Sequence, residues 1–176
     1  MWALKVVESD IPFASCDNIG KLFKLMFQSE RRISRDFTCG EKKISYLITH
    51  GLAPYFKDCL LEDVKKSNAG FTLHYDESTT AQVKKQMDIV LRYWSVQKKG
   101  VIVHYLGSSY FGRADAATGA KELLESLSRN GLPLNKLLAL SSDGPNVNKA
   151  VSNQVNKELN ESMLPSLMDI GTCNLH

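Results

Sequence analysis

Phe71-Thr72-Leu73-His74-Tyr75-Asp76 and Leu137-Leu138-Ala139-Leu140-Ser141-Ser142-Asp143 are two apolar stretches that each run into an aspartate. Between them the chain reads as strand, strand and helix. Met87, Ile89, Leu91 and Tyr93 alternate through one strand, Val101 to Leu106 forms the next, and Lys98-Lys99-Gly100 supplies the turn. Asp115 is placed to cap a helix carrying Ala116, Ala120, Leu123, Leu124 and Leu127 on one face, and Asn130-Gly131-Leu132-Pro133 ends it. A helix that returns the chain to a second, parallel strand makes the two strands neighbours in one mixed sheet. Adjacent backbones lie ~4.8 Å apart, so the spacing predicts that Asp76 and Asp143 meet at the carboxyl edge, where open α/β sheets hold ligands.

Two carboxylates brought that close repel each other and call for a cation. Mg²⁺ or Mn²⁺ fits an all-oxygen site of one or two carboxylates, waters and phosphate oxygens, and such an ion activates an oxygen nucleophile for in-line phosphoryl displacement. Glu77 falls on the other side of an extended chain and is the poorer ligand. Taken singly, Asp143-Gly144 is an ordinary turn signal and Asp76 before Ser78 and Thr79 an ordinary Asx turn. The pair, with strand, hairpin, helix and strand between, is what favours chemistry over turns.

Residues 1–67 read as a helical segment. Ile44, Leu47, Ile48, Leu52, Tyr55, Phe56, Cys59, Leu60 and Val64 follow helical spacing, and Gly51 with Pro54 predicts a kink or a junction of two helices near 51–54. Asp17 is placed to cap a helix through Phe27 that buries Ile19, Leu22, Phe23, Met26 and Phe27. Beyond Asp143, a helix over 147–159 turns Ala150, Val151 and Val155 inward, and Met168-Asp169-Ile170-Gly171 reads as a last short strand. The expected organisation is thus a helical segment over 1–67 and an incomplete α/β domain over 71–176.

Composition restricts the function classes. With 43% hydrophobic and 23% charged residues, the 176-residue chain fits one ordinary domain plus an appendage. A net charge of +3 permits nucleic acid without the basic footprint of a dedicated DNA-binding module. The four cysteines, at 16, 39, 59 and 173, lack paired spacing, and no leader-like start or apolar run of ~20 residues is present. Free thiols, a nuclear or cytoplasmic location and no membrane span are the expectations. Gly-rich phosphate loops are absent, and Ser78 stands where an aspartate-nucleophile phosphohydrolase carries its second aspartate.

Asp76-Glu77-Ser78-Thr79-Thr80, Leu91-Arg92-Tyr93, Ala139 to Val147 and Cys173-Asn174-Leu175-His176 together resemble the core of hAT-superfamily transposases, which has a ribonuclease-H-like fold. The resemblance covers about residues 71–176. It implies that Asp76 and Asp143 are the first two members of an acidic catalytic triad binding Mg²⁺ or Mn²⁺. It also implies that Cys173 and His176 are the family's Cys-x-x-His signature near the site, and that DNA is a partner. The family's third acid, a glutamate beyond a large helical insertion, has no counterpart up to His176, so catalysis by this chain alone is not expected. A non-catalytic, transposase-derived dimerisation or protein-interaction module is the alternative.

Cys173 and His176 supply half of a tetrahedral zinc site, which argues against structural zinc. His50, His74 and His104 lie in apolar stretches and read as structural. Lys84, Lys85, Arg92, Lys98 and Lys99 form the basic group nearest the expected site, by default a solvated face and otherwise a phosphate contact.

Overall fold

Period-two alternation decides the sheet. β1 (Phe71–Thr79) buries Phe71, Leu73 and Tyr75, and β2 (Lys85–Ser95) buries Met87, Ile89, Leu91, Tyr93 and Ser95 on the same side. β3 (Gly100–Phe111) pairs antiparallel with β2, β2 antiparallel with β1, and β4 (Leu137–Ser141) parallel with β1, giving the order β3-β2-β1-β4. The computed structural model describes residues 1–79, 85–112, 115–142 and 145–170. The chain divides into two compact units, Met1–Cys59 and Leu60–His176.

The second unit is α/β. Helices α6 (Ala116–Arg129) and α7 (Pro145–Glu161) pack on each other and add Ala120, Leu123, Leu127, Val151, Val155 and Leu159 to the core formed by the odd-numbered residues of β1 and β2 with Leu106, Leu137 and Leu140. Asp115 caps α6 as its sequence predicts, accepting the Thr118 amide at 2.9 Å. The far end is a Schellman turn. Gly131 sits at φ 59°, its amide bonds the Ser128 carbonyl at 2.9 Å, and the Leu132 amide reaches Leu127 at 3.0 Å. β4 is buried at every position except Leu138.

The first unit is helical: α1 (Trp2–Glu8), a 3₁₀ turn over Phe13–Cys16, α2 (Ile19–Met26), α3 (Arg31–Asp36) and α4 (Glu41–Leu47). The helical stripe continues through a π-turn, Ile48–Leu52, into α5 (Ala53–Lys66), so the junction predicted from Gly51 and Pro54 is a π-turn rather than a loop. Its buried cluster is small: Ala3, Val6, Cys16 and Ile44.

Several sequence expectations change. Asp17 does not cap α2, whose N-cap is Asn18 in the left-handed region; its carboxylate instead accepts the Glu41 amide at 2.9 Å, opening α4. A capping oxygen needs only an unsatisfied amide in reach, and the tertiary neighbour outcompeted the sequence neighbour. No residue of α2 is fully buried; Leu22 and Met26 are exposed, Ile19, Phe23 and Phe27 half-buried. Ala150 is exposed while Val151 and Val155 face the core. Residues 164–170 form no strand. One bond from the Met168 amide to the Leu138 carbonyl, 2.8 Å, is their backbone link to β4, and Asn156 Oδ1 holds the Leu167 amide at 2.7 Å. Pro165, with no N–H, cannot donate to a ladder there.

Within the second unit Asp63, near the end of α5, is tied to the β2–β3 turn. It accepts hydrogen bonds from Tyr93 Oη (3.1 Å), Ser95 Oγ and the Gln97 amide (3.5 Å), while Ser95 Oγ also accepts the Lys98 amide at 2.9 Å. Burial alone raises the Asp63 carboxyl, but the Ser95, Tyr93 and turn-amide donors outweigh it and hold it below its ordinary value of 3.8. Burial, and then the neighbouring carboxylate, raise the Tyr93 phenol. The folded state thus binds the Asp63 proton less readily than the unfolded state does. Its contribution is present above the unfolded value and disappears as pH falls through that value and below. Asp63→Asn is expected to cost about 1–2 kcal/mol at neutral pH and to flatten the loss of stability below ~pH 4, read by urea unfolding across pH. An unchanged acid limb would contradict this account.

Gly70 fixes how β1 and β4 enter the sheet. A Cβ there would lie 2.4 Å from Leu138 Cγ and 2.7 Å from the Lys136 carbonyl oxygen, so only glycine fits. Beside it the Lys136 ammonium donates to the Ser67 carbonyl at 2.8 Å. Gly70→Ala is expected to lower the urea midpoint by the equivalent of about 1–3 kcal/mol with an unchanged m-value.

Candidate functional site at the β1–β4 edge

The parallel ladder aligns Phe71 with Leu137, then, after an irregularity between Phe71 and Thr72, Thr72 with Ala139, Leu73 with Leu140 and His74 with Ser141. The last aligned pair lies two residues before Asp76 on one strand and two before Asp143 on the other. Asp143 itself falls outside the described residues, as do Cys173 and His176. Strand adjacency, the premise of the sequence reading, is therefore present, and Asp76 is the candidate residue whose surroundings are described.

Asp76 does not terminate its strand. β1 continues to Thr79 as a hairpin arm with β2, so Asp76 stands where β1 has passed its last aligned β4 partner and keeps its β2 partner. It is exposed on the face opposite the α6–α7 core. Glu77 turns the other way, as expected, toward the start of α6; its Oε1 lies 3.7 Å from where a Gly119 Cβ would be. A carboxylate there also suits the positive end of the helix.

A residue not anticipated from sequence faces Asp76 directly. The β1–β2 register pairs Asp76 with Asp88, and Asp88 with Ser108 of β3. Asp88 is held by Gln86 Nε2, which donates to both its oxygens at 2.9 and 3.1 Å, and by the Ser108 hydroxyl, itself bonded to Tyr105 Oη. A hairpin register drawn from the alternation of Leu73, Tyr75, Ile89 and Leu91 would have found it, because residue numbers of paired positions sum to 164 from Phe71–Tyr93 through Asp76–Asp88.

His74, two residues before Asp76 on the same face, is half-buried with Nε2 3.4 Å from Thr72 Oγ1. Burial and then the Arg92 charge hold its imidazole below the ordinary 6.5, which favours the neutral ring. The basic group divides. Lys85 lies at the Asp76 end of β2, Arg92 mid-strand on the open face, and Lys98 and Lys99 in the turn at the opposite end, ~30 Å or more away along the strand. Lys84 falls outside the described residues. The described residues contain no group of three or more His, Cys, Asp or Glu placed to hold a metal ion, and no helix long and apolar enough to cross a membrane. A groove lined by Ala117, Lys121, Glu125, Gln154 and Glu158 lies between α6 and α7, on the helical layer rather than beside Asp76.

Residues 38–150 match a family described as the ZMYM1/FAM200, RNase-like domain. The chain belongs to this family. Its RNase-like description agrees with the α/β fold, four-stranded mixed sheet and flanking helices seen here, and fits a transposase-derived domain. No curated protein sequence gives a significant match. Among solved structures the chain is similar to an uncharacterized Pseudomonas aeruginosa protein with similarity to the peptidase YEAZ. The two share 17% identity over 56% of this chain and 42% of that one, with a TM-score of 0.29. That likeness is too slight to bear on fold or function.

Like charges directly opposite on a ladder oppose each other by a few tenths to ~1 kcal/mol. Asp76→Asn is therefore expected to raise stability by about that amount at low ionic strength, with the gain shrinking in 1 M salt, where screening acts over ~3 Å. Thermal unfolding of both proteins at the two salt concentrations measures this; a loss of stability in the variant would refute the repulsion.

Proposed function

We propose that the α/β unit is the core of a hAT-type transposase-derived protein, in which Asp76 and Asp143 hold a divalent Mg²⁺ or Mn²⁺ ion against the phosphates of DNA. The observation that carries this reading is the parallel β1–β4 ladder, whose last aligned pair is equally far from both aspartates. Asp88 adds negative charge across the hairpin from Asp76, and oxygen donors of this kind suit a hard cation. The ion would supply charge neutralisation and an activated oxygen nucleophile. Asp76 and Asp143 would orient it, and Gln86 and Ser108 hold the Asp88 carboxylate in place across the hairpin. Two aspartates are two of the three acids that the resemblance implies, so the proposed role of residues 1–176 is metal and DNA binding rather than autonomous cleavage. Of the nuclear and cytoplasmic locations expected, a DNA-binding role of this kind favours the nuclear one.

A second reading, a protein-interaction module, is favoured by the open face of the sheet. There Trp94, Val101, Val103 and Tyr105 are 46%, 54%, 58% and 59% exposed and adjoin across β2 and β3. Titration of the folded chain with Mn²⁺, followed by calorimetry, separates the two. Metal binding is expected in the native chain and is lost in Asp76→Ala and Asp143→Ala. Equal binding by all three proteins, together with sedimentation as a dimer that Val103→Lys dissociates, would replace the metal reading by the interaction module.

A further inference from the structure

Two cysteines 23 positions apart in sequence meet inside the helical unit. Cys16 closes the Phe13–Cys16 turn and is fully buried; Cys39, half-buried, leads into α4. Cys16 belongs to the small cluster with Ala3, Val6 and Ile44, and Cys39 packs against that same cluster. The surrounding backbone holds them there. Asp17 accepts the Glu41 amide at 2.9 Å, one residue beyond Cys16 and two beyond Cys39. Gly20 packs so closely on the other segment that its Cβ would lie 3.6 Å from both the Cys39 nitrogen and the Phe37 carbonyl oxygen. Phe37 in turn stacks on Phe23 of α2, with ring centroids 4.4 Å apart and planes 16° from parallel. Residues 16–23 and 37–41 are therefore neighbours, and each segment brings one cysteine to the same cluster.

We propose that Cys16 and Cys39 form a reversible dithiol–disulfide pair that fastens the start of α2 to the entry of α4. Cysteines packed into one cluster on segments that are bonded to each other need only a local approach to reach the ~2.05 Å of a disulfide. A peroxide is the oxidant. The more accessible Cys39 thiolate attacks one peroxide oxygen and breaks the O–O bond, giving Cys39–SOH, and the departing oxygen leaves as water. The Cys16 thiolate then attacks the Cys39 sulfur and displaces hydroxide, which takes up the Cys16 proton and leaves as a second water. Two sulfurs lose two electrons in all and the peroxide gains them; a dithiol reductant reverses the change.

The same surroundings set the rate. Burial, followed by the Cys16 thiol beside it, raises the Cys39 thiol above its ordinary value, with Lys43 pulling weakly the other way. Thiolate is therefore scarce at neutral pH and oxidation is slow, which marks a protected pair rather than a catalytic one. Once formed, the bond closes a loop containing α2 and α3, restricts the unfolded chain and so raises the melting temperature of the helical unit. Cys59, exposed on α5, is outside this cluster.

Treating the native full chain with hydrogen peroxide, alkylating the remaining thiols and digesting with trypsin tests the pairing. The expected product joins the peptide of residues 6–21, which carries Cys16, to that of residues 36–42, which carries Cys39. It should accompany an intact mass lower by two hydrogens, a higher melting temperature reversed by dithiothreitol, and a rate that climbs with pH. Cys39→Ser should abolish the linked peptide, and Cys59→Ser should leave it unchanged. Linkage of Cys39 mainly to Cys59, or a 16–39 link that forms only after denaturation, would overturn the proposal.

Discussion

The parallel contact between β1 and β4 is the constraint on which the α/β unit depends. It requires two chain entries, at Gly70 and at Lys136–Leu138, to approach more closely than any side chain on residue 70 would permit. Glycine makes room, the Lys136 ammonium ties the Ser67 carbonyl across the gap, and the irregularity after Phe71 absorbs the mismatch before regular pairing begins. From there the register runs without interruption to His74 and Ser141. Everything said of the candidate site inherits that register, because a slip of one residue would turn Asp76 onto the helix-covered face and Glu77 away from it.

Around this contact the two faces of the sheet differ. Three helices contribute to the covered side: α6 and α7 through their leucines and valines, and the end of α5 through Val64 and the Asp63 network. The other side keeps Asp76, Asp88, Arg92, Trp94, Val101, Val103 and Tyr105 in or near solvent. Charge and aromatic surface are concentrated on the face that no described helix of the unit covers, and the proposed DNA or protein partner would dock there.

The sequence was most legible where local chemistry and tertiary demand coincide. Asp115 stands three residues before the amide it caps, so its capping role followed from spacing. Gly131 occupies a left-handed position, and the alternation of Met87, Ile89, Leu91 and Tyr93 faces a continuous core. Reading failed where a group had a choice. Asp17 took the amide of Glu41 rather than one in α2, the apolar stripe of α2 found no deep core, and residues 168–170 gave a single backbone bond rather than a strand. The lysines looked like one cluster because they are close in sequence, yet an extended strand separates its two ends.

By itself the sequence determined the class of the fold, the strand and helix order from residue 71 through the helix that follows β4, and the adjacency of the two strands that lead toward Asp76 and Asp143. Alternation, caps and glycines are local properties that survive without knowledge of distant partners. Only the tertiary structure decided that Asp88 faces Asp76, that Asp63 anchors α5 to the β2–β3 turn, and that Cys16 and Cys39 share one cluster. Each of those relations joins residues from 12 to 34 positions apart. Their meeting depends on ladder register and helix packing, quantities set by burial of the whole core rather than by any short stretch of chain.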